Sequence, residues 1–324
     1  METQKQKTRV ASLSVISNIT LVVLKAIVGI LIGSVSVISE AIHSGMDLLA
    51  AIIALIAVRI SGRGPDDDHP FGHGKVESIS AAVEALLIFV AAIWILYEAA
   101  RKLLSPHPVE AVGWGVLIMC ISSIINFVVS QQLFRVGTKT DSAALIADAW
   151  HLRTDVYTSV GVMVGLGLIW LGGFLIPGVN LSWLDPLAAI IVAFLILHAA
   201  YRLTVHAVQD LIDTSTPAEE KAWIQNYLKN MYPTVRSFHR LRTRKSGASR
   251  FIDFHMAVDC DMTVHDSHDI GDQIVVDFKQ HFPHADIILH IEPCDGTCTY
   301  ACTSGCQLSE QERKKIHASG HNHE

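Results

Sequence analysis

Two segments of the chain repeat one pattern of metal-binding residue types. Residues 40–47 read Glu-Ala-Ile-His-Ser-Gly-Met-Asp, and residues 148–155 read Asp-Ala-Trp-His-Leu-Arg-Thr-Asp. In each, an acidic residue precedes a histidine by three positions, and an aspartate follows the histidine by four. Residues four apart lie on one face of a helix, and two imidazoles with two carboxylates suit tetrahedral Zn²⁺. We therefore predict a metal site made by His43, Asp47, His151 and Asp155.

The same residues have a structural alternative, in which two His–Asp hydrogen bonds simply tie the helices together. The repetition of the pattern in two segments favours metal binding. The outer acids, Glu40 and Asp148, either orient the imidazoles or lie near a water-filled cavity. Lys25 and Glu84 are further ionisable residues in apolar segments, and we assign them no role.

The segments that carry this pattern are apolar enough to cross a membrane. Half of the 324 residues are hydrophobic and only 17% are charged, which is unusual for a soluble protein. A spanning helix needs about 20 mainly apolar residues. Six stretches qualify, of which the second, third and fifth contain ionisable residues and should score weakly in hydropathy. The predicted spans are 10–32, 35–60, 78–100, 111–134, 142–171 and 184–206.

Basic residues at the span ends predict the orientation of the bundle. With the N-terminus inside, the cytoplasmic side collects Lys5, Lys7, Arg9, Arg59, Arg63, Lys75, Arg135, Lys139 and Arg202. Only Arg101 and Lys102 lie near span ends on the other side. Both termini are then cytoplasmic. The first ten residues lack a signal-peptide cleavage pattern, so we interpret the first apolar segment as a retained span.

Three parts follow from the change in composition along the chain: a transmembrane part at 1–206, a soluble domain at 207–293 and a tail at 294–324. The soluble part alternates a helix, two strands, a helix and a strand. We predict an α-helical membrane protein with six transmembrane helices, followed by a cytoplasmic α+β domain of αββαβ order, ferredoxin-like or metallochaperone-like. The net charge of -6 argues against nucleic acid as a partner.

The pairing of His43 and Asp47 with His151 and Asp155 resembles the transport site of the cation diffusion facilitator family. Six spans and an αββαβ domain match that family as well, and the bacterial zinc/iron efflux branch is most similar. The resemblance implies a homodimer in a bacterial inner membrane that exports Zn²⁺ in exchange for protons. Many bacterial members have Asp at the position of His43. The His version resembles zinc transporters that discriminate against cadmium, and nitrogen ligands also favour zinc over Mg²⁺ or Ca²⁺.

The loop after the second span holds a second candidate site, at Asp66, His69 and His73. One carboxylate and two histidines within eight residues could close around zinc, and they resemble the family's loop-borne site. The alternative is a solvated acidic turn.

The soluble domain holds a third candidate, which resembles the family's binuclear cytoplasmic site. His290 and Glu292 share a face of the last predicted strand, and His255 lies in an alternating segment. Glu292 stands where the family commonly has Asp, and His265 is interpreted as a bystander. The predicted ligands are His239, His255, His268, His290 and Glu292. Lys75 and Asp213 stand where the family has a charge pair, although an ordinary surface pair would look the same.

The tail departs from the family pattern. Its cysteines recur every four residues, at Cys294, Cys298, Cys302 and Cys306, and histidines follow at His317, His321 and His323. This spacing differs from the C-x2-C of zinc ribbons. The tail is either an additional soft-metal segment or a flexible extension with incidental thiols. With four of six cysteines placed here, the chain does not resemble a disulfide framework.

Two other classes of function remain open at this point. An intramembrane metalloenzyme would need a catalytic base, usually seen as H-E-x-x-H, and an open coordination position, and the sequence has no such motif. A non-transporting metal sensor would have little use for ligands in the middle of the bilayer.

Overall fold

The computed structural model describes residues 2–32, 35–104, 114–175, 183–296 and 298–318. The side chain of Glu40 and the tail residues His321 and His323 lie outside the described part. The chain divides into two compact units, Met1–Leu211 and Ile212–Glu324.

Long helices make up the first unit. The helix α3 packs along α6, α1 along α2, and α4 along α5. Ala50, Ala54, Ala85, Ala92 and Ala200 are among the fully buried residues, so small side chains allow the helices to approach closely. The helices are α1 (Glu2–Ile32), α2 (Val35–Ser61), α3 (Lys75–Leu104), α4 (Trp114–Thr140), α5 (Ala143–Leu175) and α6 (Leu184–Leu211).

Five of these helices are long and apolar enough to cross a membrane, as judged over the described residues. They contain the segments Glu2–Leu31, Ala41–Ser61, Lys75–Leu104, Leu117–Thr140 and Pro186–Leu211. The expectation of weak hydropathy is therefore wrong for α2 and α3, and for α5 it stays a prediction. A sixth span remains a prediction.

The second unit contains a three-stranded sheet. The strands β1 (Ser237–Ser246) and β2 (Ser249–Asp259) pair antiparallel, and β2 pairs in parallel with β3 (Ala285–Cys294). Two longer helices, α7 (Ala218–Asn230) and α8 (Val264–His281), complete the predicted αββαβ order. Two short helices lie in the tail, α9 (Tyr300–Ser304) and α10 (Glu310–Ala318).

The helices α7 and α8 cover one face of this sheet. Gly271 of α8 lies against Leu289 and Ile291 of β3. Side chains alternate along a strand, so His290 and Glu292 point to the other face. We call it the helix-free face: the face of the sheet that carries His239, His255, His290 and Glu292. The core beneath the helices includes Ile224, Leu228, Phe254, Met256, Ile274 and Phe278.

Candidate metal centres

The first candidate centre lies between α2 and α5. His43 and Asp47 are one turn apart on α2, and His151 and Asp155 are one turn apart on α5. One ligand atom from each of His43, Asp47 and Asp155 lies within 4.8 Å of the others. His151 Nε2 lies 3.2 Å from Asp47 Oδ1. The structure thus brings together all four residues that the sequence predicts for this site.

Burial makes this arrangement costly without a compensating charge. Asp47 is 5% exposed and His151 is 9% exposed, and a buried charge is stable only when it is paired. The second ring nitrogen of His151, Nδ1, is buried and has no hydrogen-bond partner among the described residues. Asn126 of α4 donates from Nδ2 to Asp155 Oδ2 at 3.5 Å. This amide is a partner that the sequence analysis did not identify.

A cavity of about 650 Å³ reaches the four residues. Its walls are formed by α2, α3, α5 and α6 and are mainly apolar. On α3 the lining residues run from Leu87 to Lys102, which corresponds to roughly 22 Å along a helix. The cavity therefore extends from the His/Asp group toward the C-terminal end of α3, where Glu98 and Lys102 line it.

The opposite ends of these helices are tied together by a buried network around Glu77. Lys7 Nζ donates to Glu77 Oε1 at 2.9 Å, and the two side chains are 5% and 1% exposed. Ser61 donates to the same oxygen at 2.5 Å, and Ser142 donates to Oε2. The network joins α1, α2, α3 and the turn before α5 at one end of the unit. No sequence spacing relates these four residues, and the sequence analysis missed them.

Two further carboxylates lie inside the bundle. Asp148 and Glu84 are fully buried, and neither Asp148 oxygen nor Glu84 Oε2 has a hydrogen-bond partner among the described residues. Asp148 thus makes no bond that would orient His151. Glu84 Oε1 accepts a bond from Ser80 at 3.2 Å, and Lys25 donates to Ser44 at 2.8 Å.

The loop between α2 and α3 forms the second candidate centre. Asp66, His69 and His73 each offer a ligand atom within 4.8 Å of the others. Asp66 Oδ1 accepts bonds from the His69 backbone at 2.7 Å and contacts His69 Nδ1 at 3.2 Å, while Oδ2 lies 3.4 Å from His73 Nε2. The bond from the His69 backbone is the main cause of a lowered pKa for Asp66. Gly72, with φ +77°, allows the turn that returns His73 to Asp66.

The third candidate centre lies on the helix-free face of the sheet. His239, His255 and His290 occupy paired positions on β1, β2 and β3 and therefore form a row across the strands. Glu292 contacts all three rings: Oε1 lies 2.7 Å from His255 Nδ1 and 3.7 Å from His290 Nε2, and Oε2 lies 3.4 Å from His239 Nε2. A carboxylate with both oxygens among imidazoles is suited to bridging two cations.

Electrostatics at this row favour a charged carboxylate and a neutral imidazole. Desolvation raises the pKa of Glu292, but the bond from His255 and the nearby histidines outweigh it, and the net shift is downward. Burial lowers the pKa of His239, although Glu292 opposes the shift. Metal ligation requires these same protonation states.

The structure does not bring every predicted ligand to the row. His268 is 71% exposed on α8, where its Nε2 lies 3.6 Å from Asp272. His265 lies 3.8 Å from Asp269 on the same helix.

Lys75 belongs to the first unit, where it donates to the Leu211 carbonyl. Asp213 belongs to the second, where it accepts from Arg244, so their pairing remains a prediction.

The four tail cysteines are free thiols of differing exposure. Cys294 ends β3 and is buried, Cys302 and Cys306 are partly buried, and Cys298 is exposed.

Two family models together match most of the chain. The model described as the cation efflux transmembrane domain matches residues 11–212, and the model described as the cation efflux protein cytoplasmic domain matches residues 216–294. The chain belongs to the cation diffusion facilitator family.

Relatives agree with this membership. An uncharacterized transporter of Synechocystis is 37% identical over 81% of this chain and 83% of its own length. The cation-efflux pump FieF of Escherichia coli is 33% identical over 81% of this chain and 84% of its own length. Among solved structures, the metal-bound C-terminal domain of the CzcD transporter from Thermotoga maritima is 26% identical, covers 24% of this chain and 94% of that chain, and has a TM-score of 0.22.

As a cation diffusion facilitator, the chain is a multi-pass membrane protein that exports cations, and the cations that this family binds are divalent metal ions. Family members are transporters and not enzymes. The alternative of an intramembrane metalloenzyme is therefore excluded by family membership.

Proposed function

We propose that this chain is a Zn²⁺/H⁺ antiporter that exports zinc by alternating access, with His43, Asp47, His151 and Asp155 as the ligands of the transported ion. The observation that carries the proposal is the convergence of two imidazoles and two carboxylates at a cavity with mainly apolar walls. Nitrogen and oxygen ligands in a set of four suit zinc better than Mg²⁺ or Ca²⁺.

The shape of the first unit supports alternating access. The cavity runs from the ligands toward the C-terminal end of α3, whereas the Glu77 network ties the opposite helix ends. With the N-terminus in the cytoplasm, as the basic residues suggest, the cavity faces away from the cytoplasm and the tied ends face toward it. We interpret this state as outward-facing.

Proton exchange follows from the chemistry of the ligands. Zinc needs neutral imidazole and ionised carboxylate, so binding is linked to proton release and protonation favours metal release. Protons supplied from the outer side would therefore help to expel the ion from His151 and its neighbours. Imidazole titrates near neutral pH, which suits an exchange driven by physiological gradients.

The two other centres have regulatory roles in this proposal. Zinc at His239, His255, His290 and Glu292 would favour one arrangement of two soluble domains in a homodimer, with His268 as an additional predicted ligand. The lowered pKa of Glu292 keeps the carboxylate ready to ligate. The loop centre at Asp66, His69 and His73 would hold an additional ion near the membrane surface. The protein would lie in a bacterial inner membrane with both termini in the cytoplasm.

Zinc flux into proteoliposomes under an imposed pH gradient tests the transport proposal. The native chain should carry gradient-dependent flux, and Asp155→Ala should abolish it because the site loses one of two carboxylates. Asp286→Ala, which removes an exposed carboxylate from β3, is the matched control and should transport normally.

The outcomes separate the remaining hypotheses. Equal flux in the native chain and Asp155→Ala would place the transport site elsewhere. Flux that ignores the pH gradient would reject proton exchange while keeping transport. Zinc binding without flux in the native chain would favour a sensor.

A further inference from the structure

The tail after β3 is built into the second unit through contacts with the edge strand β1. Cys306 forms a β-bridge with Ser237, and Phe238 donates from its backbone to the Gly305 carbonyl at 3.3 Å. Gln307 donates from its backbone to the Arg236 carbonyl at 2.9 Å. These bonds satisfy backbone groups at the sheet edge, which would otherwise be open.

Side chains and a glycine fix the position of this segment. A Cβ at Gly305 would collide with the Phe238 carbonyl, so only glycine permits such a close approach to β1. The amide of Gln307 donates to the carbonyls of Leu228 and Val235 at 3.2 and 3.1 Å. The segment from Gly305 to Gln307 is therefore docked on the sheet edge, which disfavours the alternative of a flexible extension.

This docking places Cys302 and Cys306 beside β1, and Cys294 ends β3 in the same sheet. Cys294 follows Glu292 by two residues on β3 and lies on the same face. Ser237 lies two residues before His239 on β1, and its hydroxyl donates to the Cys302 carbonyl at 2.9 Å. The helix α9 thus lies beside β1 at this face. Cys302 Sγ lies 3.6 Å from the same hydroxyl.

The tail thiols also influence one another electrostatically. Burial raises the pKa of Cys294, Arg236 opposes the shift, and Cys302 and Cys306 add to it. Burial also raises the pKa of Cys298, Cys302 and Cys306 raise it further, and Arg313 opposes the shift. The thiols of Cys302 and Cys306 therefore raise the pKa of both Cys294 and Cys298.

The surrounding charges suit a set of thiolates. Four thiolates around a divalent cation leave two negative charges in excess, and guanidinium groups stabilise such a set. Arg236 acts on Cys294 and Arg313 acts on Cys298. Among the described residues no three of these sulfur atoms lie within 4.8 Å of one another. Binding therefore requires the segment to tighten, and the exposed Cys298 leaves room for rotation.

We propose that Cys294, Cys298, Cys302 and Cys306 bind one thiophilic divalent cation, such as Zn²⁺ or Cd²⁺, at the end of the helix-free face. The ligands of this site would all be sulfur atoms. The three candidate centres described above offer nitrogen and oxygen ligands instead. Thiolate ligands select softer ions. The proposal does not depend on transport, since it concerns binding to the second unit.

Cobalt titration of the full chain tests this site. The reduced protein in detergent is stripped of metal with a chelator and titrated with Co²⁺, and absorption is recorded. Thiolate-to-cobalt charge transfer arises only from sulfur ligation, so the nitrogen and oxygen sites do not contribute. The native chain should show the band, Zn²⁺ should displace it, and the variant with all four tail cysteines changed to Ser should lack it. Metal analysis should show one fewer zinc ion per chain in that variant.

Two variants protect the test against misfolding. Cys298→Ser alters an exposed side chain and should weaken the band without affecting zinc binding to the His/Glu row. Cys120→Ser combined with Cys260→Ser removes the two cysteines outside the tail and should keep the band. Absence of the band in the native chain, or its persistence in the fourfold variant, would overturn the proposal.

Discussion

The group at His43 and the row at His255 use the same ligand types on different scaffolds. In the first unit, histidine and aspartate one helical turn apart meet a similar pair from another helix, and Asp47 and His151 are buried. In the second unit, strand register aligns three histidines beside Glu292, which is 33% exposed. Helices can slide and tilt against each other, whereas paired strands are held by their hydrogen bonds. The first scaffold suits a site that must open and close, and the second suits a site that stays assembled.

The largest difference is expected when one carboxylate is neutralised in each region. Asp47→Asn should reduce zinc flux by more than the roughly 10–100-fold that loss of an outer partner costs at a metal site, because a buried ligand charge disappears. Glu292→Gln should leave flux measurable and alter only its dependence on cytoplasmic zinc. Proteoliposome flux measures both. Similar losses in the two variants would contradict the distinction between a transport site and a regulatory site.

Breaking the buried ion pair of the first unit should lower the free energy of unfolding more than breaking an exposed ion pair of the second unit. Lys7→Met leaves Glu77 buried without its cation and should lower the free energy of unfolding by about 3–5 kcal/mol. Arg242→Met breaks an exposed pair with Asp253, in which the arginine is 77% exposed, and should cost about 0–1 kcal/mol. Denaturant unfolding in detergent measures both.

A double variant sharpens this result. Adding Glu77→Gln to Lys7→Met removes the stranded charge and should restore much of the stability. A double variant as unstable as Lys7→Met alone would show that the loss came from packing and not from the uncompensated carboxylate.

A smaller effect is expected from the amide of Asn126, beside the proposed transport ligands. Asn126→Ala should weaken zinc binding or transport by about 10–100-fold, because Asp155 loses the donor that orients it. Ser122, one turn earlier on α4, is buried and its hydroxyl has no partner among the described residues. Ser122→Ala is therefore the matched control and should change little. Equal effects of the two substitutions would show that Asn126 does not orient Asp155.

The smallest effect is expected at His268. In one chain its imidazole is exposed and lies beside Asp272, so His268→Ala should change zinc binding at the His/Glu row far less than His255→Ala. Calorimetric zinc titration of the full chain in an Asp47→Ala, Asp155→Ala background measures this. A loss as large as that of His255→Ala would mean that a second copy of the chain supplies His268.

The sequence predicted features that follow from a short-range repeat. His43 with Asp47, and His151 with Asp155, are related by helical spacing, and alternation in β3 relates His290 to Glu292. The αββαβ order followed from the alternation of apolar residues and from turn residues such as Gly247, which has φ +58°. Their roles as ligands remain predictions.

Features that depend on packing between distant segments could not be predicted. Lys7 and Glu77 are 70 residues apart, and neither belongs to a motif. Asn126 is a single amide in an apolar helix, and only the rotation of α4 against α5 directs it toward Asp155. The row of three histidines depends on strand register, and the docking of the tail depends on the space that Gly305 leaves beside Phe238.

The ion pair of Lys7 also matters for how the protein is prepared. The match to the family model begins at residue 11. Lys7 lies before this residue, and so does Gln4, which donates to the Val58 carbonyl. A gene trimmed to begin at residue 11 would still encode every proposed ligand, yet it would leave the Glu77 carboxylate in the interior without its cation. Shortening or tagging the start of the chain therefore disturbs the helix ends that the Glu77 network ties together, and activity assays should begin from an unmodified amino terminus.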